Sequence, residues 1–208
     1  MTRLPALSLL LVPALLAGCA AGGGDVSTDG ILNVVASTDV WGDIAEAVGG
    51  DRIVVTSIID SPDKDPHEYE ASARDQLAVS RADLLVQNGG GYDPFLGTLI
   101  EASGSEAPVV TAVDLSGMVP EEDSAEGEHA EEEHGDEHAA DDGHGHVEGV
   151  NEHVWYDLHT AGAVAAAVAE QLTAIDAGGA DAYAAGLAEF TLGLEALEGR
   201  AEELHTRF

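Results

Sequence analysis

Two histidines stand in settings that suit metal coordination. His67 lies in Asp65-Pro66-His67-Glu68-Tyr69-Glu70, and His153 lies in Asn151-Glu152-His153-Val154-Trp155-Tyr156-Asp157. Neutral imidazole binds Zn²⁺ at about 2.0–2.1 Å. A nearby carboxylate can fix the tautomer through the second ring nitrogen, and Glu68 and Asp157 are the candidates for that contact. Taken singly, each histidine also fits a hydrogen-bonded surface residue, and that reading stays open on these residues alone. A second group, His129, His134, His138, His144 and His146, is spaced closely within an acidic tract. It reads either as a solvated stretch or as an auxiliary, low-affinity collector of divalent cations. Ordering such a segment costs entropy, so each site in it should be weak. Its carboxylates concentrate cations but also favour protonated histidine, so loading should fade in mild acid. Imidazole-rich donors favour zinc over manganese, which prefers oxygen. His159 reads as a structural or exposed residue, and His205 as a solvated one.

The charge balance excludes other classes. The 208 residues carry 7 Lys+Arg against 40 Asp+Glu, a net charge of −33. So few cations cannot neutralise a phosphate backbone, and no nucleic-acid partner is expected. Lys64, the single lysine, follows no glycine-rich run, so a P-loop is excluded. The stretch from Glu121 to Glu148 holds 13 of the carboxylates and 5 of the histidines, so part of the charge is a local device. Cys19 is the single cysteine, which leaves no internal disulfide and no CxxC pair.

The start of the chain reads as an address. Arg3 precedes a nearly uninterrupted apolar run, Leu4 to Ala17. It is shorter than the roughly 20 residues a bilayer span takes, and it fits a signal-peptide core. It ends in Leu16-Ala17-Gly18-Cys19, which resembles a bacterial lipobox whose cysteine receives lipid; an ordinary signal peptide is the alternative. Residues 1–18 are thus expected to be a lipoprotein signal peptide and residues 19–30 a flexible tether. The mature protein is expected to be exported and held to the cell membrane by lipid on Cys19, on the periplasmic or extracellular face.

The elements that must position the two histidines alternate between types. Apolar runs at Ile31–Ala36, Ile53–Ile59, Leu84–Val86 and Val109–Val113 predict four strands. Helical spacing predicts helices over Val40–Val48, Ser72–Ala82, Pro94–Ala102 and Thr160–Ile175, with capping residues in Ser37-Thr38-Asp39. This alternation indicates an α/β lobe over 31–158 with a mainly parallel sheet flanked by helices. Residues 114–149 are expected to form an acidic, His-rich disordered loop. Residues 159–180 read as a helix and turn. From Asp181, apolar residues recur in alternating steps of three and four through Leu204, which predicts one long helix over 181–208. Asp65–Glu70 follows the second strand and should lie at the carboxyl end of the sheet, where ligands bind in such folds. Trp41 and Trp155 are expected to fill the core or shield the site, and Tyr92-Asp93-Pro94-Phe95 to lead a loop into a helix.

These features in this order resemble the solute-binding lipoproteins of ABC-type zinc and manganese importers, the ZnuA/TroA-like family. The resemblance rests on the lipobox, Asn33-Val34-Val35-Ala36-Ser37, Asp65–Glu70, Ala82-Asp83-Leu84-Leu85-Val86 with Asn88-Gly89, the His-rich insert, Asn151–Asp157 and the long last helix. It implies that His67 and His153 are the ligands donated by an N-terminal lobe, and that Asp181–Thr206 is a rigid inter-lobe helix. It implies a second α/β lobe that supplies the remaining ligands. None of that lobe is in the 208 residues, so the expectation is a fragment or a truncated gene. It further implies capture of Zn²⁺, or alternatively Mn²⁺, for a permease and an ATPase that are separate chains, by a monomer that is not an enzyme. Two rivals are a zinc hydrolase and a metal buffer. The hydrolase lacks an HExxH or any legible nucleophile–base pair. The buffer would work through the His-rich tract alone.

Overall fold

The structure is a computed structural model that describes residues 30–118 and 151–208. Four strands form one sheet: β1 (Leu32–Thr38), β2 (Ile53–Ile59), β3 (Leu84–Gln87) and β4 (Val109–Thr111). All are parallel, in the order β2-β1-β3-β4. Val35 of β1 stands opposite Thr56 on one side and Leu85 on the other. The helices are α1 (Asp39–Gly49), α2 (Ala73–Val79), α3 (Pro94–Ser103), α4 (Ala112–Leu115), α5 (Leu158–Ile175) and α6 (Ala180–Arg207). The expected α/β architecture is therefore present.

Side chains alternate across a strand, and both faces of this sheet are covered, which is why its strands read as continuous apolar runs. Val34, Ala36, Leu84 and Val86 face one core, with Trp41 and Ile44 of α1, Val164 and Val168 of α5 and Tyr183 of α6. Val35 and Leu85 face the other, with Val79 of α2 and Phe95, Leu96 and Leu99 of α3. Trp41 is thus a core residue.

Local chemistry sets the element ends. Ser72 and Asp75 form a reciprocal capping box at α2. That helix stops at Val79 rather than Ala82, because Arg81 and Ala82 turn back to donate to the carbonyls of Ala78 and Val79. Ser37 and Thr38 belong to β1, and Thr38 precedes α1 without a side-chain cap. The fourth strand ends at Thr111, two residues before the expected Val113. There the Val113 N–H donates to the carbonyl of Asn88, and the chain makes a helical turn that buries Ala112 and Val113.

Helix α6 has 28 residues, a length of about 42 Å. Tyr183, Leu187, Phe190 and Leu194 pack on the core, whereas Leu197 and Leu204 are exposed. Where α6 passes α1, a side chain at Gly186 would collide with the carbonyl oxygen of Val48, so only glycine permits that approach. Arg52 and Asp176 pair at 2.7 Å, and the Tyr183 hydroxyl donates to the same carboxylate, tying α6 to the turn before β2. Among the described residues, no helix is long and apolar enough to cross a membrane.

The strand order creates the crevice. β1 and β3 are neighbours, yet β1 leads to α1 on one face and β3 leads to α3 on the other. The loops part at their carboxyl ends, which is where ligands bind in open α/β sheets.

Candidate metal centre

His67 is held by three contacts. Its backbone N–H donates to Asp65 Oδ1 at 3.0 Å, a local turn that proline at 66 stiffens. Its Nδ1 lies 3.2 Å from the carbonyl oxygen of Gly91. A carbonyl oxygen only accepts, so Nδ1 carries the proton in this contact. Nε2 lies 3.3 Å from Glu152 Oε1, and both side chains are largely buried, at 18% and 8% exposure.

Three successive glycines bring that carbonyl into place. Gly89, Gly90 and Gly91 have φ of 77°, 65° and 89°, in the region that side chains disfavour. Asp93 ties down the start of this loop, accepting from the N–H of Asn88 at 2.7 Å and of Gly89 at 2.8 Å. Burial raises the Asp93 carboxyl above its ordinary value, and the hydrogen bonds it accepts pull the other way.

His153 sits on the segment that enters α5. Its Nδ1 lies 3.0 Å from Asn151 Oδ1, which also accepts its backbone N–H at 3.1 Å. With the amide oxygen as acceptor, Nδ1 is the donor in this contact too. The segment is pinned from below, because Asn88 Nδ2 donates to the carbonyl of Glu152 at 2.8 Å and Val154 is buried.

Tyr92 joins the two histidines. Its ring centre is 5.1 Å from that of His67 and 5.9 Å from that of His153, both edge-on, and 4.7 Å from Trp155. Burial, first, and the nearby acids Asp93, Asp65, Glu152 and Asp39 raise its phenol above the ordinary value. His67, Tyr92, His153 and Trp155 line one cavity of about 570 Å³, with Asp39, Asp63 and Asp65 at its wall. Lys64, also on that wall, is paired with Asp60 at 3.1 Å.

The two histidines singled out in the sequence are therefore brought to one cavity. The carboxylate facing His67 is that of Glu152, not Glu68, which is exposed. Asp157 is engaged elsewhere. It caps α5, accepting from the N–H groups of His159 and Thr160 and from the Thr160 hydroxyl at 2.6 Å. Those donors lower its carboxyl, the Thr160 hydroxyl foremost. His159 is exposed at the start of α5, and His205 is exposed on the outer half of α6. Cys19, His129, His134, His138, His144 and His146 lie outside the described residues. Among the described residues, no three His, Cys, Asp or Glu side chains gather closely enough to hold an ion by themselves. Glu152, Tyr92 and the Gly91 carbonyl escaped the sequence reading. Glu152 carried one signal: it directly precedes His153.

Known proteins resemble this chain in sequence and in fold. Residues 34–207 match the family model described as zinc-uptake complex component A, periplasmic. The manganese-binding lipoprotein MntA of Halalkalibacterium halodurans is 28% identical over 191 residues, covering 91% of this chain and 55% of that protein. The manganese ABC transporter substrate-binding lipoprotein PsaA of Streptococcus pneumoniae is 30% identical over 206 residues, covering 94% of this chain and 59% of that protein. The chain thus spans little more than half the length of these curated relatives. Among solved structures, the Mn-bound periplasmic metal binding protein of Candidatus Liberibacter asiaticus superposes with a TM-score of 0.61 at 22% identity, over 85% of this chain and 56% of that one. Zn(II)-bound AdcA of Streptococcus pneumoniae gives 0.60 at 20% identity, over 82% and 32%. At such identities the likeness is one of fold.

Proposed function

The chain belongs to the zinc-uptake complex component A family, and on that premise we propose that it captures a divalent metal ion for an ABC importer. In this reading it is the N-terminal, metal-binding part of an extracytoplasmic solute-binding lipoprotein, anchored by lipid on Cys19. It passes its cargo to a permease driven by an ATPase, both separate chains, and performs no covalent chemistry itself. His67 and His153 each give one Nε2. The remaining donors come from a second lobe, towards which α6 runs as a connecting helix, and the protein works as a monomer.

The observation that carries this reading is the seating of both imidazoles against Tyr92 at the carboxyl ends of the strands. A tetrahedral ion needs four donors. The 208-residue chain alone is therefore expected to bind metal weakly.

Zinc is the proposed cargo, on the strength of His129, His134, His138, His144 and His146 as auxiliary imidazoles that collect the ion before transfer. Manganese is the second reading, favoured by the names of MntA and PsaA. Calorimetric titration with each ion, in parallel, separates the two. The capture reading expects His67→Ala and His153→Ala to weaken binding at the strongest site. Deleting 121–148 should spare that site. Loss of all binding on that deletion would instead support a metal buffer working through the tract alone. If His67→Ala leaves the strongest site unchanged, the assignment is wrong.

A further inference from the structure

We propose that Asn88 is the positioning residue that holds the two histidine-bearing segments in register, so that one divalent ion can bridge His67 and His153. The inference rests on the capture reading above and concerns the same site. Three observations support it.

The first is what the side chain joins. Asn88 follows β3 and is fully buried. Its Nδ2 donates to the carbonyl of Gly89 at 3.0 Å and to the carbonyl of Glu152 at 2.8 Å. Gly89 opens the glycine loop whose Gly91 carbonyl meets His67 Nδ1. Glu152 directly precedes His153. One amide group therefore grips both segments, although Glu152 is 64 residues away in the chain. The two bonds that His153 makes to Asn151 Oδ1 stay inside its own segment, so they set its ring but not its distance from the sheet.

The second is that the amide can face only one way. Turned over, it would set Oδ1 against two carbonyl oxygens, and acceptors repel one another. The backbone of Asn88 is held as well. Its N–H donates to Asp93 Oδ2 at 2.7 Å, and its carbonyl accepts from the N–H of Val113 at 2.9 Å. The amide is thus a fixed fork between the two segments.

The third is a cost. Among the described residues, Asn88 Oδ1 has no hydrogen-bond partner. A buried acceptor left unpaired lowers stability, so packing alone would disfavour asparagine here. Its two donors are what the position uses. An ion that bridges two imidazoles gains from their high effective concentration only while their segments keep a fixed separation.

The test follows the ring signals of His67 and His153 by NMR as the 208-residue chain is titrated with Zn²⁺, so that the other histidines do not intrude. Asn88→Ala, Asn88→Ser, His67→Ala and Val168→Ala are compared with the unaltered chain, and thermal melts check that each folds. Val168 is a buried core residue of α5, and its variant controls for lost stability alone. In the unaltered chain both rings should respond at one common Zn²⁺ midpoint. In Asn88→Ala they should respond at separate midpoints, that of His153 rising about tenfold or more, as for other groups that orient a ligand. Asn88→Ser should fall between, because one hydroxyl proton serves one carbonyl. Without metal, the ¹⁵N shifts of His67 in Asn88→Ala should show mixed tautomers, since the Gly91 carbonyl is no longer held in place. A common, unmoved midpoint in both Asn88 variants would overturn the inference; the capture reading stands if His67→Ala still raises the His153 midpoint. An equal split in Val168→Ala, or failure of both Asn88 variants to fold, would make Asn88 a structural residue and overturn it too. If His67→Ala leaves the His153 midpoint unchanged, no ion is shared and the capture reading falls with it.

Discussion

The Nδ1 of His67 lies 3.2 Å from the carbonyl oxygen of Gly91, which fixes the tautomer from a loop on another strand. The contact depends on backbone that only glycine adopts readily, since Gly89 to Gly91 all have positive φ. At Gly89 a Cβ would also lie 2.5 Å from Thr111 Cγ2. Gly89→Ala is expected to destabilise the fold by about 1–2 kcal/mol. It should weaken metal binding as well, because the carbonyl would shift. Denaturant melts and metal titration of the same sample check both effects.

Tyr92 spaces the two imidazoles through its ring rather than through its hydroxyl. Tyr92→Phe is therefore expected to keep metal affinity close to that of the unaltered chain. Tyr92→Ala should lower affinity and cost about 1–2 kcal/mol of stability through lost aromatic packing. Titration of the two variants side by side gives the comparison. Equal losses in both would transfer the role to the hydroxyl.

Asp176 is held below the ordinary carboxylate range by hydrogen bonds, first from Arg52 and then from the Tyr183 hydroxyl. A carboxyl lowered in the folded state adds stability above its unfolded pKa of about 3.9. That contribution is lost as pH falls through the folded value. Thermal melts below pH 5 should therefore show a decline that is shallower in Asp176→Asn. Arg52 is partly exposed, so the effect will be modest and screened by salt.

Two glycines of α6 should respond in opposite directions. Gly186 abuts the Val48 carbonyl, whereas nothing lies within 4 Å of a Cβ placed at Gly193. Gly193→Ala is expected to stabilise by about 0.5–1 kcal/mol, from helix propensity alone. Gly186→Ala should destabilise by about 1–3 kcal/mol by forcing α6 away from α1. Chemical denaturation of the two single variants measures the contrast.

Residue patterns reveal what depends on local period. β3 and the inner part of β1 are buried on both faces and appear as apolar runs, the edge strand β2 shows itself by its β-branched residues although Val54 is exposed, and α6 declares itself by spacing. Relationships that cross the fold leave weaker marks. Glu68 adjoins His67 in sequence but points to solvent, while Glu152 reaches it from the far side of the crevice. Asp157 caps α5, which begins at Leu158 rather than at the expected Thr160, so its carboxylate serves the helix instead of a histidine. Tyr92 looked like a loop residue because a single sequence does not show which rings will meet it. β4 ends short of its apolar run for a similar reason: Val113 is β-branched, but a distant carbonyl at Asn88 draws its N–H out of the strand.

Under the proposed function, the convergence of His67 and His153 on Tyr92 also bears on how long the folded chain lasts. An unfolded chain has no such meeting point, so an ion held there lowers the free energy of the folded form alone, by an amount that grows with the logarithm of metal concentration. In that reading, cargo and durability are linked. A protein carrying its ion should resist proteases longer than an empty one, so limited digestion can report occupancy without any spectroscopic label.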